Sequence, residues 1–298
     1  PIGILATIAL LLCAMFFAGL IFGFQYLIGN PVPILVLLLL GSALGATDPI
    51  GVKGLLSSVR APHHLIVKLE GESLFNDAMC IAVFMTLLNV LEGEHFSLVA
   101  TLQTFLYEIV VAVMIGWAFG LGILRLLRGK HEMESLILTT ALLACGSYLV
   151  ALFAHASAPI ACVIGGLIVG NKWKEILAER EIREINHFWH TVEGIINSFL
   201  FTLIGLEIFI LDLSSSLILG GIFAFFALHL SRFAANFLSF AFFPWFRKKS
   251  YNGSLVILSW GGVRGGISLA LILAVANIPE LRKYSSILIG YTFISVLL

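Results

Sequence analysis

Three short stretches of this 298-residue chain place charged and polar side chains inside otherwise apolar runs. The first is Gly45-Ala46-Thr47-Asp48-Pro49-Ile50. Pro49 has no N–H and its ring clashes with the carbonyl of Gly45, so a continuous helix breaks here. The residue before a proline is pushed out of the helical region, and that residue is Asp48. Asp48 is then positioned to cap a new half-helix with Pro49 at its first position. The plain alternative is a proline kink, which leaves an acidic residue at the break unexplained. The second stretch is Glu70-Gly71-Glu72-Ser73-Leu74-Phe75-Asn76-Asp77-Ala78. On a helix Ser73 and Asp77 share one stripe, and Glu72 and Asn76 the adjacent one. The first stripe offers a hydroxyl and a carboxylate, oxygen ligands suited to a hard cation. The second offers groups suited to holding neighbouring helices. Low dielectric penalises a bare carboxylate, so Asp77 is expected to take either a proton or a cation, but not both. The alternative is a purely structural polar cluster.

The third stretch is Ser259-Trp260-Gly261-Gly262-Val263-Arg264-Gly265-Gly266-Ile267-Ser268. Its glycines weaken a helix by roughly 1 kcal/mol each relative to alanine. Arg264 must be neutralised if it lies within the membrane. Asp48 and Arg264 thus sit in two interrupted segments far apart in the chain, the pattern expected of a transporter with an inverted repeat. At a crossing of two broken helices, Asp48 would offset positive half-helix ends and Arg264 negative ones. The small-xxx-small pairs Gly41/Gly45, Gly116/Gly120 and Gly166/Gly170 are expected to mark ordinary packing.

What must position these residues is a membrane protein. The chain is 60% hydrophobic and 11% charged, with a mean hydropathy of +1.06. Soluble domains carry about 25% charged residues because their surface must be hydrated. Apolar runs predict about ten spans, near 1–28, 33–58, 66–91, 97–127, 135–156, 158–171, 188–211, 214–246, 253–277 and 284–298. The connections alternate in charge. One set holds Arg60, Lys68, Arg125, Arg128, Lys130, Lys172, Lys174, Arg180, Arg183, Arg247, Lys248 and Lys249; the other holds only Arg282 and Lys283. By the positive-inside rule the first set is cytoplasmic. Net charge is zero, so no nucleic acid partner is expected. Cys13, Cys80, Cys145 and Cys162 have no paired metal spacing and are expected to be small core residues. The chain opens at Pro1 and starts and ends inside apolar stretches, so further segments at both ends are expected, and no cleavable signal peptide.

Taken together, Ala46-Thr47-Asp48-Pro49, Gly71 to Ala78 and Gly261-Gly262-Val263-Arg264-Gly265 resemble cation:proton antiporter family 1, in order, spacing and helix context. The stretch from Phe188-Trp189 to Leu206 resembles the segment after that family's last long cytoplasmic loop. The resemblance implies an all-α, thirteen-helix fold of which this chain covers about the last ten. It also implies a homodimer in which a core, here about 33–91 and 214–277 of the single domain 1–298, moves against a dimerisation part. Asp77 matches the family's ion-binding aspartate; Ser73 and the Thr47 region match the supporting ligands. Glu72 matches the acidic half of a buried salt bridge, with Arg232 as its expected partner; exchanging Arg232 and Arg264 is the alternative pairing. Asn76 before Asp77 resembles the electroneutral branch. An acidic residue near the ion, on an earlier family helix, has no counterpart in this chain.

The function these residues imply is exchange of a monovalent cation for protons, most simply sodium, with no enzymatic step and no cofactor. Potassium or lithium would meet the same oxygen ligands. A cation channel would need a continuous pore lined by carbonyls or acidic rings. A hydrolase built on Ser73 would need the second glycine of a nucleophile elbow, which is missing after Ser73. A transport-inactive sensor on the same scaffold would differ by losing ion binding at Asp77. Glu193 and Asn197, four apart, are expected either to face the core or to serve as structural hydrogen-bond partners. His63, His64 and His131 are expected to be solvated at the cytoplasmic face, with pH sensing as the alternative. Glu108 and Glu207 are given no role.

Overall fold

Apolar length and the two interruptions together dictate the elements seen. The computed structural model describes residues 2–47, 63–93, 98–129, 132–207, 214–242, 259, 265–275 and 278–298. Among these, ten α-helices are found: α1 (Ile2–Leu27), α2 (Ile34–Gly45), α3 (His63–Leu91), α4 (Leu98–Leu126), α5 (Met133–Phe153), α6 (Ala158–Lys172), α7 (Glu179–Glu207), α8 (Ser215–Phe242), α9 (Gly266–Val275) and α10 (Ser285–Leu297). Five of them hold apolar stretches long enough to cross a membrane, and α2 and α9 are shorter apolar helices. The two short ones are those the interruptions predict. α2 stops at Gly45 because Ala46 turns to φ −58°, ψ 138°, and α9 starts at Gly266, just after Arg264-Gly265.

Two compact units divide the chain, residues 1–95 with 201–298, and residues 96–200. In the first, α1 packs on α2, α3 and α8, α2 on α3 and α9, and α10 on α8 and α9. Its core gathers Phe17, Leu37, Leu40, Phe84, Leu228 and Ile272. α1 and α10 pack in the same unit as α2, α3, α8 and α9. Gln25 on α1 donates from Nε2 to Tyr291 Oη of α10 at 2.9 Å, a buried polar tie between distant parts of the chain.

In the second unit α4 packs on α5 and α6, and α5 on α6. Between α5 and α6 the backbone turns at His155, whose φ is +49°. The Ala156 N–H donates to Ala151 O at 2.8 Å, which satisfies a helix-end carbonyl in the manner of a left-handed C-terminal cap. α7 begins earlier than the span 188–211 expected from hydropathy, so Arg180 and Arg183 lie on a helix rather than in a loop. Glu181 Oε2 accepts from the Ala178 N–H at 2.7 Å, half of a capping box. Ile182, Ile185 and Trp189 bring one face of this first part of α7 into the cluster of Ile123, Leu127 and Leu136. An apolar-length criterion passes over such a helix start because its other face is charged.

Gly116 and Gly120 let α4 and α6 approach closely. A Cβ at Gly116 would run into the Ala161 carbonyl and stand 2.9 Å from Ile164 Cβ; one at Gly120 would stand 2.9 Å from Ile168 Cβ. Gly116→Ala is expected to destabilise the protein by about 1–3 kcal/mol through overpacking, read as a lowered Tm in detergent. An unchanged Tm would show that the two helices can separate at no cost. The pair Gly166/Gly170 does not behave as expected: no atom lies within 4 Å of a Cβ built at either position. These two glycines stand on the opposite side of α6 from the face packed on α4. Cys145 likewise departs from expectation, being exposed, whereas Cys13 and Cys80 are buried and Cys162 is half-buried.

Candidate functional site

The end of a helix leaves its last four carbonyls without intrahelical partners. For α2, these would be stranded in the interior of the first unit, since Ser42, Ala43, Leu44 and Gly45 are all buried. The side chains that meet this end come from one stripe of α3, at positions 73, 76, 77 and 80. Asn76 donates from Nδ2 to Gly45 O at 2.6 Å and reaches Thr47 Oγ1 at 3.2 Å. The Cys80 thiol lies 2.8 Å from Ser42 O. The Ser73 hydroxyl donates to Thr47 O, and its Oγ is 3.5 Å from Thr47 Oγ1. The Thr47 N–H donates to Asp77 Oδ1 at 3.1 Å.

Thr47, Ser73 and Asp77, the three expected cation ligands, are thus assembled in one place. Thr47 is 3% exposed and Ser73 4%, while Asp77 is half-buried. The arrangement supplies a hydroxyl pair, a backbone carbonyl and one carboxylate, all hard oxygen donors. The partial exposure of Asp77 leaves its carboxylate within reach of an ion. No cluster of three or more His, Cys, Asp or Glu is present among the described residues, so a tight transition-metal site has no basis there.

Asn76 was expected on a stripe apart from Ser73 and Asp77. It instead works beside them, buried to 4% exposure. Cys80 was expected only as a small core residue, and it also faces the end of α2. Both contacts were signalled by spacing, since 73, 76, 77 and 80 follow the i, i+3, i+4, i+7 pattern of one helix face.

Arg232 is buried on α8, at 6% exposure, as a charge held by a partner requires. One turn further along, Asn236 donates to Ser259 Oγ at 3.2 Å and joins α8 to the stretch that precedes Arg264. Sequence reasoning passed over Asn236, for which the spacing of four from Arg232 was the available signal. Asp48, Pro49, Arg264 and His131 lie outside the described residues, as do the side chains of Glu72, His63, His64 and Glu207. Glu193 is exposed and Asn197 half-buried, so Glu193 does not face a core. The second half of α7 around it is exposed as well, with Ile195, Ile196 and Phe199 each more than half open. On the same helix the Trp189 indole N–H donates to Thr140 Oγ1 at 3.0 Å.

The family described as sodium/hydrogen exchanger, transmembrane, matches residues 1–298. The Na(+)/H(+) antiporter NhaP of Pseudomonas aeruginosa is 35% identical over 305 residues, covering 100% of this chain and 72% of that protein. The Na(+)/H(+) antiporter NhaH of Halobacillus dabanensis is 31% identical over 249 residues, covering 81% of this chain and 60% of that protein. The solved structure of the sodium proton antiporter MjNhaP1 from Methanocaldococcus jannaschii superposes with a TM-score of 0.76 at 19% identity, over 98% of this chain and 72% of the other, which shows a shared fold. A chain whose described residues form helices, with polar groups gathered at the end of α2, and which is matched along its whole length, is an integral multi-pass membrane protein of the transmembrane sodium/hydrogen exchanger family.

Proposed function

We propose that the protein exchanges sodium for protons across a bacterial plasma membrane, by competition of the two ions for Asp77. The observation that carries this reading is the convergence of Thr47, Ser73 and Asp77 at the unwound end of α2. A carboxylate moved uncompensated across a low-dielectric barrier meets a large desolvation cost. A proton or a sodium ion removes that charge, so only the occupied site crosses readily. Exchange then follows without an external energy source. The names of the relatives, antiporters of sodium and protons, favour sodium as the cation. Potassium and lithium are alternatives at the same oxygens.

In this reading Glu72 pairs with Arg232, and Asp48 with Arg264 balances the half-helix ends at the crossing. Packing of α9 on α2 supports such a crossing. Asn76, an amide rather than a second carboxylate, supports one-for-one electroneutral exchange. The helices around the two breaks would form the moving core, and the protein would work as a homodimer.

The test uses the full-length protein in proteoliposomes with an imposed pH gradient followed by a dye. Sodium is expected to collapse the gradient whether or not the membrane potential is clamped at zero. No response to sodium, lithium or potassium would overturn the antiporter reading. A response requiring a potential would overturn electroneutrality.

A further inference from the structure

The positive-inside rule accounts for basic residues at the cytoplasmic ends of helices, but not for their convergence on one cavity. Arg125 in the last turn of α4, Arg128 just beyond it and Lys172 at the end of α6 line a single cavity of about 570 Å³. Leu121, Leu124 and Ile176 form its apolar wall, and Glu175 is the one carboxylate on it. Three cations against one anion leave it with a net charge of two positive. Other basic residues nearby behave differently: Arg180 is paired with Glu184 at 2.9 Å and Arg183 with Glu179 at 3.8 Å. Arg125, Arg128 and Lys172 enter no ion pair among the described residues. Attraction to the helix-end dipoles explains why cations sit at the ends of α4 and α6. It does not explain why the three cations converge on one hollow that also holds Leu121, Leu124 and Ile176.

We propose that this cavity binds the headgroup of an anionic phospholipid of the cytoplasmic leaflet, through its phosphate groups. All three cations belong to the set assigned to the cytoplasmic side, where such headgroups lie. The volume falls within the roughly 300–1,000 Å³ of ordinary ligand sites. Two phosphodiester charges, as in cardiolipin, would match the net charge; a single one, as in phosphatidylglycerol, would match half of it. Leu121, Leu124 and Ile176 beside the cations offer an amphiphile apolar contacts that a free anion would not use. Met114, Ala118, Leu121 and Arg125 follow one face of α4 at i, i+4, i+7 and i+11, with Met114 63% exposed. An acyl chain can therefore run along α4 below a headgroup held by Arg125. The proposal stands on this cavity and the orientation alone, so it can fail without affecting the transport reading.

The test measures Tm and native mass spectra of the purified full-length protein with added cardiolipin, phosphatidylglycerol, phosphatidylcholine or inorganic phosphate. Cardiolipin at saturation is expected to raise Tm by about 5 °C and to remain bound in the spectra, with phosphatidylcholine and phosphate inactive. Arg125→Ala with Arg128→Ala is expected to weaken cardiolipin binding about 30-fold, and Lys172→Gln alone by a smaller factor, should the double variant fold poorly. Arg180→Ala, on an exposed and already paired residue, should leave binding unchanged. Equal cardiolipin binding by wild type, the double variant and Lys172→Gln would overturn the proposal. So would the full shift with phosphate alone, which would make the cavity a soluble-anion site, and so would no response to any lipid.

Discussion

Asp77→Asn is expected to reduce cation-dependent proton exchange to the rate of protein-free liposomes while leaving the protein folded. Among the described residues of the Thr47–Ser73–Asp77 site, the carboxylate alone can exchange a proton for a cation, since hydroxyls and carbonyls do not ionise near neutral pH. An amide neither releases a proton there nor balances the charge of a bound sodium ion. The fold should survive because the Asn oxygen can still accept the Thr47 N–H, now 3.1 Å from Asp77 Oδ1. That exchanges a charged hydrogen bond for a neutral one, a difference of about 1 kcal/mol. Dye-monitored exchange and Tm measured on the same preparation separate the two effects. Normal exchange by the variant would place the ion site elsewhere.

Asn76→Leu is expected to do the opposite, acting on stability first and on transport through it. Leucine has the same number of side-chain heavy atoms and the same branching as asparagine, but it is bulkier and has no donor. The Gly45 carbonyl, now 2.6 Å from Asn76 Nδ2, would lose that partner at the end of α2. Removing one partner of a buried hydrogen bond costs about 1–3 kcal/mol. Tm in detergent should fall by several degrees, and the sodium concentration for half-maximal exchange should rise as the Thr47 backbone loosens. The thiol of Cys80 at Ser42 O and the hydroxyl of Ser73 at Thr47 O would still hold the chain, so some exchange should remain. An unchanged Tm would show that those two contacts suffice and that Asn76 serves another purpose.

Much of the architecture was legible without coordinates because membrane helices obey local constraints. An apolar run of sufficient length must satisfy its own backbone hydrogen bonds, which makes it a helix. Hence the expected spans 1–28, 97–127 and 135–156 agree closely with α1, α4 and α5. Pro49 and the glycines around Arg264 act on the chain next to them, and α2 ends and α9 begins beside those residues. Local reasoning failed where a segment is half polar. The start of α7 is held by an apolar face on its neighbours and a Glu181 cap, so an average over all its residues conceals it.

The sequence by itself determined that this is a multi-span helical membrane protein with one helix ending near Pro49, another beginning after Arg264, and Ser73 and Asp77 on one face of a third. It also supplied the charge asymmetry from which a cytoplasmic side is expected. Only the tertiary structure decided what that face meets. The rotation and height of α3 against α2 bring Ser73, Asn76, Asp77 and Cys80 onto the backbone from Ser42 to Thr47. The rotation of α6 against α4 likewise separates Gly116, pressed against α6, from Gly166, which presses on nothing. Hydrogen bonding within each helix is the same for any such rotation, so local propensity is indifferent to it. Packing of side chains between helices is what selects one.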